Sequence, residues 1–404
     1  MTTDLTSDLA AWAAPAGPLS GLLVGRIHAP ADRDAAGVGG PTPVVFRPDG
    51  AYDLLPFGPT MSDLLDRPDL VDVARRQDLR RVAGLDEILG GSPADARSAD
   101  RPALLAPFDL QVIRACGVTF AESLIERVIE EGARGDASRA RELRGHITAR
   151  IGVDLGAIVP GSEGAQALKR ELIAEGLWSQ YLEVGIGPDA EIFTKTPVLG
   201  SVGHGDRVGI RRESAWNNPE PEVVLAVAAD GTIRGAALGN DVNLRDFEGR
   251  SALLLPEAKD NNASCAIGPF IRLFDEGFSL DHLMATDVTV EVRGLDGFRT
   301  GGANRLSRIS RDPRALVAQA LGRTHQYPDG LALFLGTMFV PTADRDEPGR
   351  GFTHHEGDVV RISNPLLGAL ENQVGWCDEV PPWTMGIRAF WANVAARTAK
   401  ASGE

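Results

Sequence analysis

The chain has 404 residues, more than one ordinary hydrophobic core holds, so two domains are expected. Its 56 acids against 41 bases leave a net charge of −15, which argues against a nucleic-acid or anionic-membrane surface, while 43% hydrophobic residues is ordinary globular usage. No apolar run approaches the roughly 18 residues that span a bilayer. Asp4 and Asp8 precede the first base, Arg26, unlike a signal or transit sequence, and Cys116, Cys265 and Cys377 are too scattered for a disulfide framework, so a cytoplasmic protein is expected.

Residues 1 to about 18 are small, polar and expected to be loose. From Leu22 to Leu65 short apolar runs broken by Gly and Pro read as strands, and from there to about Leu89 the pattern is helical. The Asp- and Pro-rich stretch from Ser92 to Pro102 reads as a linker. Residues 1–105 are therefore assigned to a small N-terminal α/β domain and its linker, and residues 106–404 to a β-rich catalytic domain. In the latter, Val112 to Gly117 reads as a buried strand. Helical spacing follows over Phe120 to Leu143 and Ser162 to Glu175, a helical insertion near the domain's start. From Val198 strands alternate with turns, interrupted by one helix at Asp312 to Gly322. The fold class is α+β.

The most informative element is the hairpin around Ala229-Asp230-Gly231-Thr232, because Asp-Gly is a strong turn signal. With Asp230 and Gly231 as a two-residue loop, Glu220 falls opposite Asp241, and strand alternation turns Glu222 to the same face. Three carboxylates so close repel. A hard divalent cation would neutralise them, and a partial protein ligand set suits Mg²⁺.

Only four of the bases are lysines: Lys169, Lys195, Lys259 and Lys400. In an arginine-rich chain a retained lysine is informative, since lysine can lose its proton when desolvated and arginine effectively cannot. Lys169 and Lys400 lie in polar surroundings, which leaves Lys195 and Lys259. His354 and His355 are adjacent and face opposite ways, so they read as loop residues, and His325 reads as structural. Arg245 and Asp246 are expected to form a buried ion pair. No Gly-x-Gly-x-x-Gly follows a strand and no phosphate loop is present.

Taken together, Asn218-Pro219-Glu220-Pro221-Glu222-Val223-Val224, Leu238-Gly239-Asn240-Asp241 through Asp246, Lys259, Ile267-Gly268-Pro269, Tyr327-Pro328-Asp329-Gly330 and Leu335-Gly336-Thr337 resemble the fumarylacetoacetate hydrolase superfamily. Gly117-Val118-Thr119-Phe120, Ala190 to Lys195 and Gly203-His204-Gly205 carry a similarity to its bacterial 2-keto-3-deoxy-pentonate dehydratases. The resemblance implies a mixed β-sandwich roll and Mg²⁺, with Mn²⁺ as an alternative, held by Glu220, Glu222 and Asp241. It also implies Lys259 beside the metal, Glu191 closing over the substrate, Thr337, Thr119 and Ser123 at a bound 2-keto-3-deoxy sugar acid, and a homodimer or homotetramer. Ser123 stands where the C–C hydrolases carry a water-activating histidine, which favours dehydration.

The expected chemistry pairs Lys259, its pKa lowered by burial and the cation, with Glu191. One removes a C3 proton and the other protonates the departing C4 hydroxyl, in either assignment. The product is 2,5-dioxopentanoate. A hydrolase or decarboxylase of related keto acids and a catalytically silent keto-acid-binding protein are the alternatives.

Overall fold

The computed structural model describes residues 21–402 apart from 135, 137, 141, 142, 144–157, 175, 177, 338, 340, 342 and 349. The expectation for residues 1 to 18 lies outside them. An eleven-stranded sheet dominates. Its strands run in the order Arg81–Gly84, Gly50–Asp53, Gly40–Arg47, Leu23–Ala29, Cys265–Leu273, Ile233–Asp241, Pro221–Val227, Leu331–Phe334, Val112–Gly117 and Glu191–Thr196. Ala103–Leu105 joins beside Leu23–Ala29. A five-stranded sheet, Arg299–Arg305, Asp287–Arg293, Val359–Asn364, Gly368–Trp376 and Arg207–Ile210, lies against it. This is the expected mixed architecture of helices and β-sheets.

The central strand Pro221–Val227 is buried on both faces, which explains its unbroken apolar run. Val223, Leu225 and Val227 pack with Val288, Val290, Val360 and Ile362 of the second sheet. Val224 and Ala226, pointing the other way, pack with Leu54, Met61, Leu64 and Leu70 from the N-terminal part. Fully burying such a side chain contributes about 1.5–3 kcal/mol, so both covers matter to the hairpin. The N-terminal strands enter the same sheet through Leu23–Val24 against Arg272–Ile271. Division at residue 105 is thus a proposal about folding units within one continuous sheet.

The helices Glu163–Ala174 and Pro313–Ala320 form where helical spacing placed them, the second opened by Asp312 accepting the Arg314 amide at 2.7 Å and by Pro313. The insertion supplies the helix Ala121–Ala133. The expected helical stretch to Leu89 is interrupted by the strand Arg81–Gly84. There, pairing to Gly50–Asp53 buries Val82 and Ala83 and overrides local propensity. A C-terminal helix, Ile387–Ser402, went unread; Arg397 anchors it to Asp34 at 2.6 Å and to the Pro41 carbonyl. No helix among the described residues is long and apolar enough to cross a membrane.

Candidate functional site

The site begins with the hairpin, whose turn differs from expectation. Val227 pairs with Ile233, and the Ala228 amide donates to the Thr232 carbonyl at 2.9 Å. The loop is therefore three residues, Ala229-Asp230-Gly231, with Gly231 at φ 86° where a side chain would be strained. That shifts the ladder by one. An irregularity at Arg234, between Ile233 and Gly235, shifts it back, so Pro221 pairs with Asn240 and Glu222 with Gly239. The Asp241 amide donates to the Glu220 carbonyl at 3.0 Å, as the sequence register required.

Carboxylate oxygens of Glu220, Glu222 and Asp241 lie within 4.8 Å of one another, and all three residues are buried. Lys259, at the end of the helix Leu255–Lys259, inserts its ammonium among them: Nζ is 2.5 Å from Glu220 Oε2 and 3.0 Å from Asp241 Oδ2. Lys195 stands behind, 2.8 Å from Asp241 Oδ1 and donating to the carbonyls of Val242 and Lys259. It is a partner of an acid of the triad. Arg127 approaches from the insertion helix, with Nη2 at 2.5 Å from Glu220 Oε1 and Nη1 at 2.6 Å from Glu248 Oε2. Asn243 Nδ2 donates to the same two carboxylates, at 3.2 and 2.6 Å.

Charge bookkeeping identifies the odd member. Glu130, Glu220, Glu222, Asp241 and Glu248 are buried beside four buried cations, Arg127, Lys195, Arg245 and Lys259. Among the described residues Glu222 has no cationic partner at contact distance; its Oε2 accepts the Gly336 amide at 2.6 Å. Burial, then Asp241 and Glu220, push its carboxyl well above the usual range. Burial also pulls the Lys259 ammonium down, but Asp241, Glu220 and Glu248 outweigh it and hold Lys259 above an ordinary lysine. This reverses the expected direction, because the neighbouring acids outweigh burial.

Glu191 faces the triad from the edge strand Glu191–Thr196. The residue is half-exposed overall while its carboxyl end is enclosed, and burial followed by repulsion from Glu248 raises it to about 7. Its pairing partner is Gly117, where a side chain would meet the Glu191 carboxyl at 2.1 Å. The neighbouring Val118 holds φ 57°, a strained backbone for a β-branched residue on the cavity wall.

The cavity these residues enclose, lined also by Ser123, Phe193 and Thr337, has a volume of about 10 Å³, room for about one water molecule. A five-carbon acid requires its walls to part. A larger cavity of about 560 Å³ between the N-terminal strands and Pro381–Met385 contains none of these groups, and chemistry outweighs size in choosing between them.

The structure therefore brings Lys259, Glu191, Glu220, Glu222, Asp241, Ser123 and Thr337 to one cavity. Thr119 is left out: its hydroxyl donates to the Leu335 carbonyl at 2.6 Å, and Ser123 donates to the Phe120 carbonyl at 2.9 Å while still lining the wall. Arg245 does not pair with Asp246. It contacts Glu130 at 2.6 Å, while Asp246 accepts from Ser214 and two backbone amides. His354 is buried against Asp358 at 3.2 Å, and His355 turns outward to Asp346. Arg127, Glu248 and Asn304 were not anticipated. Asn304 reaches from the second sheet to the Pro221 carbonyl at 2.7 Å and Thr337 Oγ1 at 3.1 Å.

With this geometry, comparison with known proteins is decisive for the domain. The family model for the fumarylacetoacetate (FAA) hydrolase C-terminal domain matches residues 191–375. Residues 191–375 belong to the fumarylacetoacetate hydrolase family. A protein of Saccharolobus solfataricus named 2-dehydro-3-deoxy-D-arabinonate dehydratase is 33% identical over 45% of this chain and 57% of its own length. A probable 2-keto-3-deoxyxylonate dehydratase of Haloferax volcanii is 32% identical over 48% of this chain and 63% of its own. The chain thus aligns with less than two thirds of either curated relative. Among solved structures, a 2-keto-3-deoxy-D-arabinonate dehydratase complexed with magnesium and 2,5-dioxopentanoate shares the fold at a TM-score of 0.56 and 20% identity, covering 88% of this chain and 99% of that one. Its apo form gives 0.59 at the same identity and coverage. The donor set fits a divalent cation: three clustered carboxylates, one of them without a cationic partner, all oxygen ligands.

Proposed function

We propose that the protein is a Mg²⁺-dependent dehydratase of a 2-keto-3-deoxy-pentonate, derived from D-xylonate or D-arabinonate, that yields 2,5-dioxopentanoate in oxidative pentose breakdown. The observation that carries this reading is one cavity holding the acid triad, a lysine inserted among its oxygens, and a facing carboxyl raised to about 7. The names of the two curated relatives support the substrate class.

Glu220, Glu222 and Asp241 would hold Mg²⁺, or Mn²⁺, which when bound supplies Lewis acidity at the 2-oxo group. Thr337 and the Gly336 turn border the oxo-acid end. Lys259 removes a C3 proton once Glu220 and Asp241 no longer hold its own. Glu191, half-protonated near neutral pH, delivers its proton to the C4 hydroxyl, which leaves as water. The resulting C3–C4 alkene shifts to C4–C5 as C5 loses a proton and C3 gains one, and the enol formed at C5 tautomerises to the aldehyde. All five carbons stay together. Ser123, whose hydroxyl is committed to Phe120, offers no base for a hydrolytic water. A homodimer or homotetramer in the cytoplasm is proposed with this activity.

The test is product analysis with both C4 epimers of the 2-keto-3-deoxy-pentonate. Release of the five-carbon semialdehyde, abolished by EDTA and restored by Mg²⁺, is expected. Two carbon fragments, or no turnover of either epimer with Mg²⁺ present, would overturn the reading.

A further inference from the structure

Arg127 meets three buried carboxylates at the site, and nothing in the reaction sequence above uses it. It sits in the helix Ala121–Ala133 with its guanidinium buried, and the fork divides its donors. Nη2 takes Glu220 Oε1 at 2.5 Å, and Nη1 takes Glu248 Oε2 at 2.6 Å and Glu130 Oε2 at 2.7 Å. Glu220 is thereby gripped by one oxygen from behind, leaving Oε2 as the one turned to Lys259 and the triad. Glu130 is itself fixed by Arg245, whose guanidinium covers the Trp216 ring at 4.1 Å, so the fork is braced from a second side.

We propose, resting on the cation site above, that Arg127 is a positioning residue that fixes Glu220 in its ligand orientation. Outer partners that hold a ligating carboxylate typically govern metal affinity by 10–100-fold. The planar fork suits the geometry, because its two terminal nitrogens reach Glu220 on one side and Glu130 and Glu248 on the other, where lysine offers a single nitrogen. An opposite outcome is physically available: a positive charge beside a cation site repels, so a guanidinium acting as charge alone would bind the cation more tightly once removed.

The experiment is Mn²⁺ titration of the full chain by calorimetry, with electron paramagnetic resonance of the bound ion, for wild type, Arg127→Lys and Arg127→Gln. Both variants are expected to lose 10–100-fold in Mn²⁺ affinity and to broaden the Mn²⁺ spectrum, Arg127→Lys despite its retained charge. A structural role alone lowers the metal-free melting temperature and leaves the Kd of folded protein unmoved. Wild-type affinity in Arg127→Lys, or tighter binding in Arg127→Gln, overturns the proposal while the cation site stands. If Arg127→Gln does not fold, Arg127→Lys decides. A wild type that binds no Mn²⁺ overturns the cation site and this inference together.

Discussion

At the scale of single residues, Glu222 carries the contrast between metal-free and metal-bound protein. Its carboxyl is buried, with no cationic partner at contact distance among the described residues, and its upward shift means that folding favours its protonated form. Glutamine has the same shape, presents an oxygen to the Gly336 amide, and needs no proton. Glu222→Gln is therefore expected to raise metal-free stability, seen as a higher melting temperature in EDTA. The same change removes one proposed cation ligand, so the melting temperature should no longer rise on adding Mg²⁺. Thermal unfolding in EDTA and in Mg²⁺ reads both effects. Retained stabilisation by Mg²⁺ would remove Glu222 from the ligand set.

At the scale of elements, one backbone position bears on where the Glu191 carboxyl points. Gly117 faces Glu191 across the edge pair, and a methyl group there lies 2.1 Å from the Glu191 carboxyl, the movable end of a side chain. Gly117→Ala should displace that carboxyl while leaving fold and cation binding intact, with turnover falling 10²–10⁴-fold, the contribution expected of a positioned acid. Unchanged turnover would take Glu191 out of the chemistry. These elements also separate what the sequence makes legible from what it hides. The triad could be read because strand alternation and a turn signal are local, and the read register held although the loop has one residue more and Arg234 compensates. Lys259 stood out by composition. Arg127 carried no such mark, being one arginine among many, and its partners Glu220 and Glu248 lie 93 and 121 residues away. Asn304 was hidden for the same reason: its contacts join two sheets. Thr119 shows that a hydroxyl in a motif can also serve the backbone, since the positive-φ turn at Gly336 offers it the Leu335 carbonyl.

At the scale of the whole molecule, the acid cluster sits at the centre of a sheet that runs from the N-terminal strands to the edge strand of Glu191, so its protonation should register in global stability. Glu191, Glu222 and Glu248 are all shifted upward, each chiefly by burial. A carboxyl raised in the folded state stabilises fully below its unfolded value near 4.5 and loses that contribution as pH rises through the folded value, about 7 for Glu191. Metal-free protein should therefore lose this part of its stability between about pH 5 and pH 7. His204 works oppositely: burial lowers it to about 3, so its penalty is greatest below its unfolded value of 6.5 and vanishes above it. It faces Glu371 rather than the triad and cancels when the same pH is compared with and without cation. The proposed divalent ion would bind the ionised carboxylates, and any ligand of the folded state stabilises it by about 2.7 kcal/mol at a hundred times its Kd. The gap in melting temperature between Mg²⁺ and EDTA should then widen as pH rises above about 5. A gap independent of pH would mean that the cation does not bind at these carboxyls.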